Sequence, residues 1–192
     1  MATSAKVLAP GELRRVQARA SRGRFAFRNR VMVMLSFKAG LRACEIAGLT
    51  WAMVLAADGR IGSSLMIDGL IAKNGRARRV PIHPQLKRAL NQLQKVSGRP
   101  NDGPVVLSQR GGHMTARGVV NWFSELYARV GLAGCSSHSG RRTFITLTAR
   151  MVGRAGGSLR DVQELAGHRS ITTTERYIEG DRDAQRKLVA ML

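Results

Sequence analysis

Several polar residues in the second half of the chain are spaced so that they could address one anion. His138-Ser139-Gly140-Arg141 sets an imidazole and a guanidinium three positions apart at a helix start, close enough to address one anion, with the positive end of the helix behind them. Leu165 to Tyr177 is the most informative stretch: a glycine-held His168, a Ser/Thr-rich helix start, and one of only two tyrosines of the chain, Tyr177, among Glu175, Arg176 and Glu179. Upstream, Arg42 follows the helix-ending Gly40, with Glu45 three residues on where a helix would let it orient that arginine. Lys73 sits beside the turn-forming pair Asn74-Gly75. Singly, each has a plain reading: Arg42 and Glu45 as a surface ion pair, Lys73 as a hairpin-tip lysine, His-x-x-Arg as a chance spacing, Tyr177 as a core aromatic. No glycine-rich phosphate loop precedes a Lys-Ser/Thr pair, and no His-Glu-x-x-His occurs. The acids are scattered, with Asp181 and Asp183 the close pair, whereas two-metal nuclease chemistry needs clustered carboxylates. What remains is stabilisation of an anion by cations, with hydroxyl groups nearby and no metal or other cofactor.

Composition agrees with a polyanionic partner. The 192 residues carry 32 Lys+Arg against 12 Asp+Glu, a formal charge of +20, and 26 of the 32 are arginines, the residue that grips phosphate with a planar fork. Two runs are almost one-signed: Lys6 to Arg30 has eight cations against Glu12, and Gly69 to Asn101 has no acid. A solvated face mixes signs, so such runs favour a phosphate-facing surface. Nucleic acid is the leading partner and an anionic membrane surface a distant second. The longest apolar stretch, Val31 to Phe37, is far too short to span a bilayer, and no signal peptide is legible. Cys44 and Cys135 fit no metal spacing and need not pair, which points to a reducing compartment such as the cytoplasm.

The elements that must position these groups are mainly α with one small antiparallel β-sheet, an α+β class. Pro10 opens a helix whose face carries Leu13, Val16 and Ala20. Phe25 to Ala39 reads as a buried helix capped by Gly40. Leu65–Ile67 and Arg79–Ile82 are strand candidates, with Asp58-Gly59 and Asn74-Gly75 as turn signals. Helical spacing returns at Leu86–Leu93 and at Val119–Val130, whose aromatics are assigned to the core. It continues over Arg141–Met151, over Leu159–Leu165 after a Ser158/Asp161 capping box, over Thr172–Ile178 and over Asp183–Leu192.

Four of these motifs, in this order, resemble the catalytic domain of the tyrosine recombinases, the phage integrase family, which shares its chemistry with type IB topoisomerases. The similarity runs from about Leu8 to the C-terminus, and the last motif matches at nearly every position. The resemblance implies that Arg42, Lys73, His138, Arg141, His168 and Tyr177 are catalytic and that Glu45 supports Arg42. Tyr177 would be the nucleophile, giving a 3′-phosphotyrosyl link without metal or ATP. Arg42, Arg141 and His168 would stabilise the phosphate oxygens, with His138 as base and Lys73 as acid for the leaving 5′-oxygen. Arg76, Arg78, Arg79, Arg142 and Arg169 are candidate DNA contacts. The partner is then double-stranded DNA with paired recombination sites, bound by a homo-tetramer or by an assembly with another recombinase in the cytoplasm, at the nucleoid.

The chain also departs from the family pattern. Gly140 replaces the usual apolar residue of His-x-x-Arg, Arg142 stands where a second His is common, and Gly153–Gly157 looks looser than the usual connection. The resemblance begins at about Leu8, so the chain is expected to lack the family's N-terminal clamp domain, as short members such as the fimbrial-switch invertases do. The whole of 1–192 is therefore expected to be one catalytic domain, with residues 1–9 as a flexible lead-in. A tail over 181–192 would either be exchanged between protomers or packed on its own domain. Two other activities fit the same residues: a non-recombining DNA-binding accessory or regulatory protein, and a relaxing enzyme that needs no paired sites.

Overall fold

The computed structural model describes residues 5–177 and 189–190. Among these described residues, eight helices and two strands follow one another as α1 (Pro10–Ala20), α2 (Ala26–Lys38), α3 (Ala43–Gly48), β1 (Ser64–Ile67), β2 (Arg78–Pro81), α4 (Pro84–Val96), α5 (Ala116–Arg129), α6 (Ser139–Met151), α7 (Leu159–Ala166) and α8 (Ile171–Glu175). The mainly helical class with one small antiparallel sheet is as the sequence predicts. The expected helix over 183–192 lies outside the described residues except for 189–190, and α8 ends at Glu175, earlier than the spacing suggested.

The organising element is α2. From Val31 to Phe37 every residue is buried, so this helix is covered all round, by α1, α4 and α6 and, near its end, by α3. Each such Val, Leu or Met taken from water contributes roughly 1.5–3 kcal/mol. The stripes Leu86, Ala89, Leu90, Leu93 on α4 and Val119, Phe123, Leu126, Tyr127 on α5 complete the main core. A smaller core holds Ile145 of α6 with Val162 and Ala166 of α7, and Tyr177 packs against it. Leu8, placed by the sequence in a lead-in, is 3% exposed and its N–H donates to Thr143 Oγ1 at 3.0 Å, so burial of one leucine ties this position to α6.

In the sheet, Leu65 pairs with Val80 and Ile67 with Arg78. Cross-strand partners share a face. Leu65, Ile67, Val80 and Arg78 therefore point inward, while Met66 and Arg79 point to solvent, with Arg79 Nε 3.2 Å from Met66 Sδ. The hairpin loop that follows β1 carries Lys73. Gly153–Ala155 forms a 3-10 turn closed by Gly156 in the link between α6 and α7.

Gly140 has a packing reason. A Cβ there would lie 2.1 Å from Ser36 Oγ and 3.0 Å from a Phe37 ring carbon, so α2 and α6 touch only because the side chain is missing. Gly140→Ala gains about 1 kcal/mol of helix propensity but meets an overpacking cost of about 1–3 kcal/mol. The expected outcome is a lower urea midpoint for Gly140→Ala, with Ser36→Gly less harmful in that background than in the wild type. Equal effects of Ser36→Gly in both backgrounds would contradict this contact.

Candidate active site

One carboxylate organises the pocket. Glu45 is fully buried, on the first turn of α3, and all its acceptor positions are taken. Oε1 accepts from Arg42 Nη1 at 3.2 Å and Arg78 Nη1 at 2.8 Å; Oε2 accepts from the Arg42 backbone N–H at 2.8 Å and Arg78 Nη2 at 2.9 Å. Burial pushes the Glu45 carboxyl up. The hydrogen bond and charge of Arg78, the Arg42 N–H and the Arg141 charge outweigh it, and the carboxyl lies below its ordinary value. It is an anion at neutral pH, set among more positive charges than it can neutralise.

Arg141 is 4% exposed, on the inward face of α6. Its Nη1 donates to the Gly40 carbonyl at 2.7 Å and its Nη2 to the Ala166 carbonyl, so one guanidinium ties the end of α2 to the end of α7. Burial and the neighbouring Arg42 lower its pKa to about 10, which leaves it charged at neutral pH with further N–H groups unspent.

His168 is delivered by the end of α7. Gly167 adopts φ +63°, and a Cβ there would lie 3.0–3.2 Å from three Arg78 side-chain atoms, so glycine favours this turn and lets Arg78 approach it closely. Gln163 fixes the histidine backbone from both sides, accepting its N–H and donating to its carbonyl, each at 3.1 Å. The ring Nδ1 lies 2.9 Å from Thr174 Oγ1 of α8. The ring also stacks on Tyr177, with centroids 5.6 Å apart and planes 21° apart, and Arg142 lies over the tyrosine ring at 5.7 Å. Burial, then Arg141, Arg42 and Arg78, lower the His168 pKa to about 4, and the ring is neutral at neutral pH.

The hairpin loop is pinned to the same turn: Asn74 Nδ2 donates to the Gly167 carbonyl at 3.3 Å, and Arg169 Nη2 donates to the Asn74 carbonyl at 3.2 Å. Lys73 and His138 are both exposed beside this clip. Desolvation, then the charges of Arg141, Lys73 and Arg42, hold the His138 pKa below its usual value, so the charge of Lys73 reaches the imidazole.

The structure thus brings Arg42, Glu45, Arg141, His168 and Tyr177 together, with Lys73 and His138 at the rim. Arg76, Arg79 and Arg169 are exposed. With Arg160 they surround a cleft of about 510 Å³ that reaches His168. Arg78 departs from the expectation. It is not a phosphate-facing cation; its side chain is 9% exposed and its fork is spent on Glu45, because it shares the inward face of β2 with Val80. Sequence reading also missed Thr174, Gln163 and Asn74 as supports of the site, whereas the alternation of residues 78 and 80 was a signal for the inward Arg78. A larger cavity of about 1000 Å³, between α4 and the turn at 55–60, is lined by none of these residues.

A cationic pocket beside a tyrosine and a neutral histidine, on a helical scaffold with one hairpin, is what the resemblance to the recombinase catalytic domain implies. Solved structures agree: the XerA recombinase superposes with a TM-score of 0.75 at 21% identity, covering all of this chain and 65% of that one. The Tn1549 transposon integrase, solved with a circular intermediate DNA, superposes at 0.77 with 19% identity, covering 99% of this chain and 67% of that one. Residues 6–183 match the model of the phage integrase family, and the chain belongs to that family. Among its relatives, the tyrosine recombinase XerC of Xylella fastidiosa (strain 9a5c) is 33% identical over 155 residues, 80% of this chain and 49% of the relative. XerC of Yersinia pestis is 30% identical over 162 residues, 81% of this chain and 49% of the relative. The chain therefore spans about half the length of these relatives. Among the described residues no helix is long and apolar enough to cross a membrane.

Two acid-side windows follow from these groups. A folded-state pKa below the unfolded value means that stability is present above the unfolded value and lost on acidification. Between about 6.5, the ordinary histidine value, and about 4, the value for His168, unfolding takes up a proton at this site. Stability should fall with pH there, with a shallower slope in His168→Gln. Below about 4.3, the ordinary Glu value, the Glu45 contribution is lost in turn, and Glu45→Gln should flatten that limb. Urea midpoints of the three proteins against pH check both windows; slopes unchanged by either substitution would contradict the assignments.

Proposed function

We propose that the chain cuts and rejoins DNA strands at specific sites through a 3′-phosphotyrosyl intermediate, without metal or ATP. The observation that carries this reading is the placement of Tyr177 on the ring of His168, within the electrostatic reach of Arg141. A nucleophile, a neutral donor and two guanidinium groups thus share one pocket. Arg42, Arg78 and Arg141 against Glu45 leave a local surplus of positive charge, which a phosphodiester and its more highly charged transition state complement.

In this mechanism Tyr177 Oη attacks phosphorus, and the bond to the 5′-oxygen breaks. Arg42 and Arg141 hold the non-bridging oxygens with charge-assisted bonds. Thr174 Oγ1 donates to His168 Nδ1, which leaves the proton on Nε2 to be donated to the phosphate. His138, neutral at neutral pH, accepts the tyrosine proton, and Lys73 protonates the departing 5′-oxygen. Attack of another strand's 5′-hydroxyl on the phosphotyrosine reverses the step and rejoins DNA. Arg76, Arg79, Arg142 and Arg169 line the approach of the duplex. Two paired sites are brought together by four copies, or by copies joined to another recombinase, in the cytoplasm at the nucleoid.

A nicked suicide substrate should trap a covalent protein–DNA adduct on denaturing gels, abolished by Tyr177→Phe and lowered about 10²–10³-fold by Arg141→Lys, the usual cost of one oxyanion donor. An adduct that survives Tyr177→Phe overturns the mechanism. Site binding without nicking would identify an accessory protein, and relaxation of supercoils without paired sites a type IB relaxing enzyme. If about eight cations reach phosphates, log affinity falls with log salt at a slope of about −7. A slope near zero, measured by fluorescence anisotropy from low to high salt, would remove the +20 charge from the account of binding.

A further inference from the structure

We infer that Arg78 is a positioning residue of the proposed reaction: by occupying both oxygens of Glu45 it prevents Arg42 from closing a fork on that carboxylate and leaves the Arg42 guanidinium for the phosphate. The inference rests on the strand-transfer reading above and goes beyond it, because the Arg78 fork is spent on Glu45 and acts on the reaction through another side chain.

The geometry is a competition for four acceptor positions. Arg78 takes one on each oxygen through Nη1 and Nη2, at 2.8 and 2.9 Å, in the two-pronged arrangement that arginine and carboxylate favour. The Arg42 backbone N–H takes a third, at 2.8 Å. One position is left for the Arg42 side chain, and its single bond there is the longest of the four, at 3.2 Å. Among the described residues Arg42 thus keeps most of its side-chain donors unspent, although the carboxylate that organises the pocket is three residues away. If Arg78 were removed, Glu45 would remain buried and charged with two acceptor positions open. Arg42, whose backbone is already fixed to it, is the nearest cation able to fill them. Its guanidinium would turn inward, away from the DNA.

Arg78 also spans the parts that must move together. Its Nε donates to the Leu165 carbonyl at 3.2 Å, at the end of α7 three residues before His168, and its stem fills the space left by the missing side chain of Gly167. It sits at the first position of β2, five residues after Lys73. The Arg42 turn, the Lys73 hairpin and the His168 loop therefore meet on one guanidinium. Its charge is one of those that hold the His168 ring neutral.

The test compares wild type, Arg78→Met, Arg78→Lys, Glu45→Gln and the double variant Arg78→Met/Glu45→Gln. Adduct formation is followed at saturating suicide DNA, with the DNA Kd measured separately. Arg78→Met should slow adduct formation about 10²-fold, the cost of displacing a positioned group by about an ångström, with Kd changed little. Arg78→Lys, which keeps the charge but not the fork, should fall between. The decisive variant is the double: the neutral amide that Glu45→Gln introduces has no charge with which to capture Arg42. It should therefore form adduct faster than Arg78→Met alone, which a merely structural role for the ion pair would not produce. A double variant no faster than the single overturns the inference while leaving strand transfer standing. If wild type forms no adduct, the functional reading fails. The inference is then decided by the crystal structure of Arg78→Met, or of Arg78→Lys if the first does not fold. An Arg42 side chain that has gained bonds to Glu45 supports it, and one that keeps its wild-type position refutes it.

Discussion

A buried carboxylate carries a large desolvation cost unless its lone pairs are filled, and Glu45 fills them with two arginines and a backbone N–H drawn from separate parts of the chain. That requirement fixes where the turn after α2 must meet the start of β2, and so where the hairpin lies over the helical body. Removing the carboxylate would leave the buried Arg78 guanidinium without its counter-charge, a change of the kind that costs about 3–5 kcal/mol. Apolar replacement of the whole group could give a more stable pocket. It would also abolish the surplus positive charge that suits the pocket to the proposed phosphodiester.

The second constraint is the end of α7. His168 is neutral because it is partly buried among three guanidinium groups, and it is held in one orientation by Gln163, Thr174 and the left-handed Gly167. Arg141 reads the same turn through the Ala166 carbonyl. Backbone carbonyls at a helix C-terminus carry partial negative charge, so they are suited to hold a guanidinium without neutralising it. The pocket is thus built from cations restrained by dipoles and by the Glu45 anion, which keeps its field positive in the absence of DNA.

The main helices were legible because their signals are local and redundant. Pro10 at a first turn, the all-apolar run of α2, the stripes of α4 and α5, and the Ser158/Asp161 box each specify an element without reference to the rest of the fold. The three-residue turns at Trp51–Met53 and Gly153–Ala155 were not predicted, because so short a turn has no periodicity to show. The two-residue alternation that turns Arg78 inward with Val80 was present in the sequence. The surrounding run of basic residues concealed it, since net charge says nothing about which face a cation occupies.

By itself the sequence determined which chemical groups are available and in what order: four spaced motifs, a great excess of arginine, and a tyrosine nine positions beyond a glycine-held histidine. Spacing along a chain is enough for this, because residues three or nine apart in short helices stay within reach of one another. Only the tertiary structure decided which arginines face a ligand and which are spent inside. Arg141 and Arg78 lie at opposite ends of long-range contacts, to Gly40 over 101 residues and to Glu45 over 33, and pairings at that separation are set by packing rather than by local pattern.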